Sequence, residues 1–169
     1  MFENSSTLLK PYSDELVNQA LWDLSGSAFS VVYDLSIDGA LRYRLIRSFE
    51  TLFRELFAAR CTPTLGHCGE VGSALNSACY MWWDFDCWAP LPDPLTRNPY
   101  DSAFLALMRS GLTIDHVACQ ESALHGLGHW HSAQATAVET IIDDFLKDDH
   151  QLPERLRQYA CEARRGYVQ

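Results

Sequence analysis

Asp115-His-Val-Ala-Cys-Gln-Glu-Ser-Ala-Leu-His-Gly-Leu-Gly-His-Trp-His131 is the stretch on which the reading of this chain turns, and it holds four of the six histidines. At helical spacing Val117, Ala123, Leu124 and Leu127 share one apolar face, while Gln120, Glu121 and His125 lie off it. Thr113 or Asp115 is placed to cap the start by accepting an orphan backbone N–H. Gly126 and Gly128 interrupt the pattern, and each costs a helix about 1 kcal/mol relative to Ala. Their presence predicts a neighbour that approaches too closely for a Cβ, as in stacked helix pairs.

Further helices follow on both sides. Downstream, Ala133 or Gln134 to Lys147 is periodic, and Pro153 opens a last helix that ends at Gly166. Upstream, Ser13 opens a first helix, with Asp14 and Glu15 in its first turn where the helix dipole favours them. The strongest periodicity runs from Asp38 to Ala59, with an apolar stripe of Leu41, Leu45, Phe49, Leu52, Phe53, Leu56 and Phe57. Ser73 to Trp83 is helical, with Leu75, Cys79 and Trp82 on one side. Asn98-Pro99 caps a helix that stops at Gly111. Ala28 to Leu35 is read as helix because its surroundings are helical. Cys61 to Gly72 and Asp84 to Arg97, rich in Gly and Pro respectively, are irregular. The expectation is an all-α chain of about seven or eight helices, stacked as antiparallel, right-handed helical hairpins.

The string from Asp115 to His129, followed by Ala135 to Leu146, resembles the second helix of a HEAT-like repeat and the first helix of the next. That resemblance implies a short α-solenoid. The strings Leu75-Asn-Ser-Ala-Cys-Tyr-Met-Trp-Trp-Asp84 and Cys119 to His131 also resemble a group of bacterial proteins of similar length with no assigned activity. This second resemblance implies a complete small bacterial protein and carries no chemistry with it.

A chain of 169 residues, 47% hydrophobic, is expected to form one domain with a sizeable core, residues 1–10 being poorly ordered. The formal net charge of −9 argues against nucleic acid and against an anionic membrane surface, since both require clustered Lys and Arg. It suits a basic protein partner. No apolar run reaches the roughly 20 residues of a membrane span. The N-terminus is polar and acidic, without the apolar segment of a signal peptide. A cytoplasmic protein follows as the expectation, its six cysteines reduced and mostly buried.

Two functional readings compete. In the first the chain is a non-catalytic protein-interaction module without a cofactor, of the acidic inhibitor or immunity type. Its partner would dock on Trp82, Trp83, Trp88, Trp130 and His131, because Trp buries much area at little entropic cost. In the second, Glu121, His125 and His129 at i, i+4 and i+8 line one helical face and bind zinc, iron or manganese, with His131 or His67 as further ligands. His-Glu-x-x-His is absent, as is any Cys-x-x-Cys that would make a zinc knuckle from Cys61, Cys68, Cys79 or Cys87. Cys119 with His116 or His125 is a pair from which a nucleophilic thiol could be built. An aromatic small-molecule pocket is a third, weaker expectation.

Overall fold

The computed structural model describes residues 1–25, 31–84, 100–148 and 152–168. Among them every regular element is helical and no strand occurs. The proline-rich segment after Asp84, the Asn98-Pro99 cap and Trp88 lie outside the described residues, as do residues 28–30. Of the remainder of the stretch expected as helix from Ala28 to Leu35, residues 31–32 form a 3-10 turn and residues 33–35 turns and irregular backbone.

Helix α1 is Asp14–Ser25, where Ser13 Oγ accepts the backbone N–H of Leu16. Helix α2 begins at Gly39–Thr51 and continues through a π-helical segment, Leu52–Phe57, to Ala58–Arg60. Asp38 caps it, accepting the N–H groups of Ala40 and Leu41 at 2.9 and 3.2 Å. The predicted stripe holds from Phe49 onward, where Leu52, Phe53, Leu56 and Phe57 are all buried. Its first turn does not hold. Leu41 is 57% exposed, and Ile46 fills the core in its place.

Helix α3 is Ala74–Tyr80, capped by Ser73, whose N–H donates to Asn76 Oδ1. A single 3-10 turn, Met81–Asp84, extends it. Helix α4 is Asp101–Leu112 and runs through Gly111 instead of stopping there. Thr113 closes this helix, its hydroxyl donating to Ser110 O, and so does not cap the next. The stretch predicted as two helices is two helices in line, Val117–Asp148, labelled α5 as a whole, with a kink at Gln134 (φ −135°, ψ 37°) where the sequence placed the start of the second. Helix α6 is Glu154–Ala163, with Pro153 at its cap.

The core is continuous from Phe2 to Ala163. Trp82 sits at its centre, edge-on to Phe49 (5.1 Å between centroids), Phe57 (5.9 Å) and Phe2 (6.1 Å). Phe2 is buried, held in a 3-10 turn that leads into a helical turn, Ser5–Leu8. Of the segment expected to be poorly ordered, residues 1–10, Phe2 and Ser5 are buried and most of the others are exposed. Trp83 and Trp130 belong to the same core. The surface anchors expected from Trp82, Trp83 and Trp130 are thus interior side chains, because aromatic area of this size is the main apolar mass available to fill the space between α2, α4 and α5.

The two glycines of α5 do what their cost predicted. A Cβ on Gly126 would lie 2.6 Å from Trp83 Cγ and 2.8 Å from Met108 Sδ. One on Gly128 would collide with the side chain of Val168. The first brings the 3-10 turn ending in Asp84 against the middle of α5, and this contact builds the site.

Candidate metal centre

His125 and His129 lie one turn apart on α5, and their side chains meet the end of the 3-10 turn. His125 Nε2 is 3.0 Å from Asp84 Oδ1 and 3.0 Å from His129 Nε2. His129 Nε2 is 2.5 Å from the same Asp84 oxygen. Two imidazole nitrogens and one carboxylate oxygen therefore converge on a single point. The His125 side chain is fully buried, while those of Asp84 and His129 are 22% and 39% exposed, so one side of the cluster faces solvent.

The cluster has an outer layer. His125 Nδ1 is 2.6 Å from the hydroxyl of Tyr159 on α6, which is 3.4 Å from the hydroxyl of Tyr80. The Tyr80 ring packs on the His125 ring at 4.7 Å. Burial, with Tyr80 beside it, pushes the Tyr159 hydroxyl well above the usual phenol range, so it is a neutral O–H at physiological pH. Burial also opposes ionisation of Asp84, but hydrogen bonds from His125 and His129 and their charge outweigh it. Its carboxyl is held well below the usual carboxylate range.

Glu121, the carboxylate read from the sequence as the third member of this face, is not part of the convergence. It turns to the loop before α3. There the N–H of Gly66 donates to Oε2 (2.8 Å) and that of His67 to Oε1 (2.9 Å), with His67 Nδ1 2.5 Å from Oε1. His67 is accordingly tied to Glu121, and His131 is turned to Glu139 (3.3 Å), so neither joins Asp84. Asp84 takes the place foreseen for Glu121. The sequence signal for it is slight: it is the only acidic residue of the Cys-Tyr-Met-Trp-Trp-Asp string. Tyr159 carried no signal at all.

Cys119 lies in the core with no exposure. A hydrogen bond with Cys79 and the neighbouring His116 outweigh burial and hold its thiol below the usual range. Its sulfur faces the backbone oxygen of Phe53, at 3.9 Å, and not a cleft. Compared with known protein families, with curated proteins and with solved structures, the chain matches none. No described helix is long and apolar enough to cross a membrane.

Proposed function

We propose that this chain is a metal-binding protein whose centre, formed by Asp84, His125 and His129, holds one divalent first-row ion. Zinc, iron(II) and manganese(II) all accept this donor set of two imidazoles and a carboxylate. One observation carries the reading: three lone-pair donors meet at one point, with separations of 3.0, 3.0 and 2.5 Å. Ligands at about 2.0–2.1 Å from a metal stand about 2.9 Å apart at right angles and about 3.4 Å apart in a tetrahedron. A small outward movement of Asp84 satisfies the first geometry. Protons satisfy such a cluster only pairwise, whereas one cation satisfies all three groups together.

The outer layer supports the same reading. With Nε2 committed to the ion, His125 Nδ1–H donates to Tyr159, which fixes the ring and its tautomer. Three protein ligands leave room for water or substrate, and the exposed side at His129 and Asp84 is where it would enter. The interaction-module reading keeps the acidity of the chain as an argument, but loses three of its tryptophan anchors to the core. The helix order remains compatible with a HEAT-like arrangement, which we retain as a proposal.

Elemental analysis of purified, untagged protein tests this directly. The expected result is close to one zinc, iron or manganese per chain. That metal should be lost in His129→Ala, a change at a half-exposed position that leaves the core intact. Wild-type protein that purifies metal-free, and whose melting temperature does not move with any of the three ions, would exclude the proposal.

A further inference from the structure

Outside the metal cluster, one group of side chains has the geometry of an activated nucleophile. Cys68 is exposed and ends the 3-10 turn Gly66–Cys68. Its Sγ lies 3.2 Å from His67 Nε2. The other nitrogen of that ring, Nδ1, faces Glu121 Oε1. Glu121 in turn is only 1% exposed and is fixed by the N–H groups of Gly66 and His67. The His67 ring is also stacked on Tyr159, with centroids 4.2 Å apart and planes 13° from parallel. The imidazole thus has no freedom to turn. A cavity of about 520 Å³ opens beside it, lined by His67, Tyr159, Glu162, Arg165 and residues 166–168.

We propose that Cys68, His67 and Glu121 form a nucleophilic thiol centre that takes a carbon electrophile. Thiol, imidazole and buried carboxylate stand in the order nucleophile, base, orienter. Glu121 accepts Nδ1–H, which leaves the Nε2 lone pair facing the Cys68 thiol. In the reaction the S–H proton passes to His67 Nε2 and the sulfur pair forms an S–C bond. The leaving group departs with the electrons of its own bond to that carbon. Glu121 stabilises the positive charge on the ring and is a positioning residue. The sequence reading sought a thiol–imidazole pair at Cys119. The structure instead pairs two neighbours in the chain, because a tight 3-10 turn is what brings the Cys68 sulfur back over the His67 ring. This inference is independent of the metal centre, since none of the three residues is one of its ligands.

The test is alkylation of the native, full-length protein by limiting iodoacetamide, read site by site by peptide mass spectrometry. Cys161, the other exposed cysteine among the described residues, is the internal standard. With the His67 imidazole 3.2 Å away to take its proton, Cys68 should be labelled about tenfold faster than Cys161 or more. His67→Gln should reduce that rate to the Cys161 value, and Glu121→Asp, which keeps the carboxylate, should hold it near that of the wild type. Glu121→Gln should fall between. Equal labelling of the two cysteines in wild-type protein overturns the proposal, and so does an unchanged Cys68 rate in a folded His67→Gln. Should any variant unfold, the buried Cys61, Cys79 and Cys119 become labelled too, and the wild-type ratio then decides alone.

Discussion

The hydroxyl of Tyr159 lies 2.6 Å from Nδ1 of His125 while its ring stacks on His67. One residue of α6 thus holds both imidazoles in place, one by a hydrogen bond and one by a face. Tyr159→Phe separates the two roles, because it keeps the ring and removes the oxygen. Loss of such an outer partner typically lowers metal affinity by about 10- to 100-fold. Zinc titration against a competing chromophoric chelator should show a fall in that range, with Cys68 reactivity unchanged. Wild-type affinity in Tyr159→Phe would mean that packing against Tyr80 alone orients His125.

The relation of Glu121 to Asp84 explains how far the site could be read from sequence. His125 and His129 were legible as a pair, because residues four apart are neighbours on a helix. Extending the series to Glu121 was not sound. Each step of four drifts by about 40°, so residues eight apart diverge by about 80° and three such side chains cannot meet at a point. The third donor had to come from another element. Asp84 is brought there by the close approach at Gly126, which spacing in the chain does not encode. The helices themselves were legible because their apolar periodicity and caps are local. One join was less so: Gly111 sits inside α4 because packing against neighbours outweighs its local cost, whereas the break at Gln134 lies where the sequence placed it.

Trp82 distinguishes a core role from a docking role. It is fully buried among Phe2, Phe49 and Phe57. Trp82→Ala should therefore cost about 3–5 kcal/mol of stability through the lost burial and the cavity left behind. Urea denaturation followed by far-ultraviolet circular dichroism gives the value. A variant as stable as the parent would contradict the packing described here and return Trp82 to the surface.

Glu50 makes stability depend on pH. The hydroxyl of Ser110 donates to Glu50 Oε1 at 2.6 Å, and Arg54 donates to the same carboxylate from one turn away. The Ser110 bond chiefly, with Arg54 against the opposing effect of partial burial, holds the carboxyl below its usual range. A lowered folded-state pKa contributes stability that is complete above the unfolded value, near 4.3, and disappears as pH falls through the folded value. The melting temperature of wild-type protein should therefore exceed that of Glu50→Gln at pH 6. The gap should narrow progressively below about pH 4. A gap that widens towards acid would reverse the assigned direction.

Gly126 and Gly128 differ in what stands against them, and the same substitution should give opposite results. Ala gains about 1 kcal/mol over Gly in a helix interior. At Gly126 the new Cβ would lie 2.6 Å from Trp83 Cγ and 2.8 Å from Met108 Sδ, both in the closed core. Overpacking of this kind costs about 1–3 kcal/mol, which exceeds the gain. At Gly128 the obstacle is Val168, a half-buried side chain beyond the last helix that can swing aside. Gly128→Ala should be neutral or stabilising, and Gly126→Ala should lower the urea midpoint at unchanged m. Because Trp83 precedes Asp84 in the chain, the Gly126 variant should also weaken zinc binding, while the Gly128 variant should not. Equal midpoints and equal affinities for the two variants would show that the approach at Gly126 does not position Asp84.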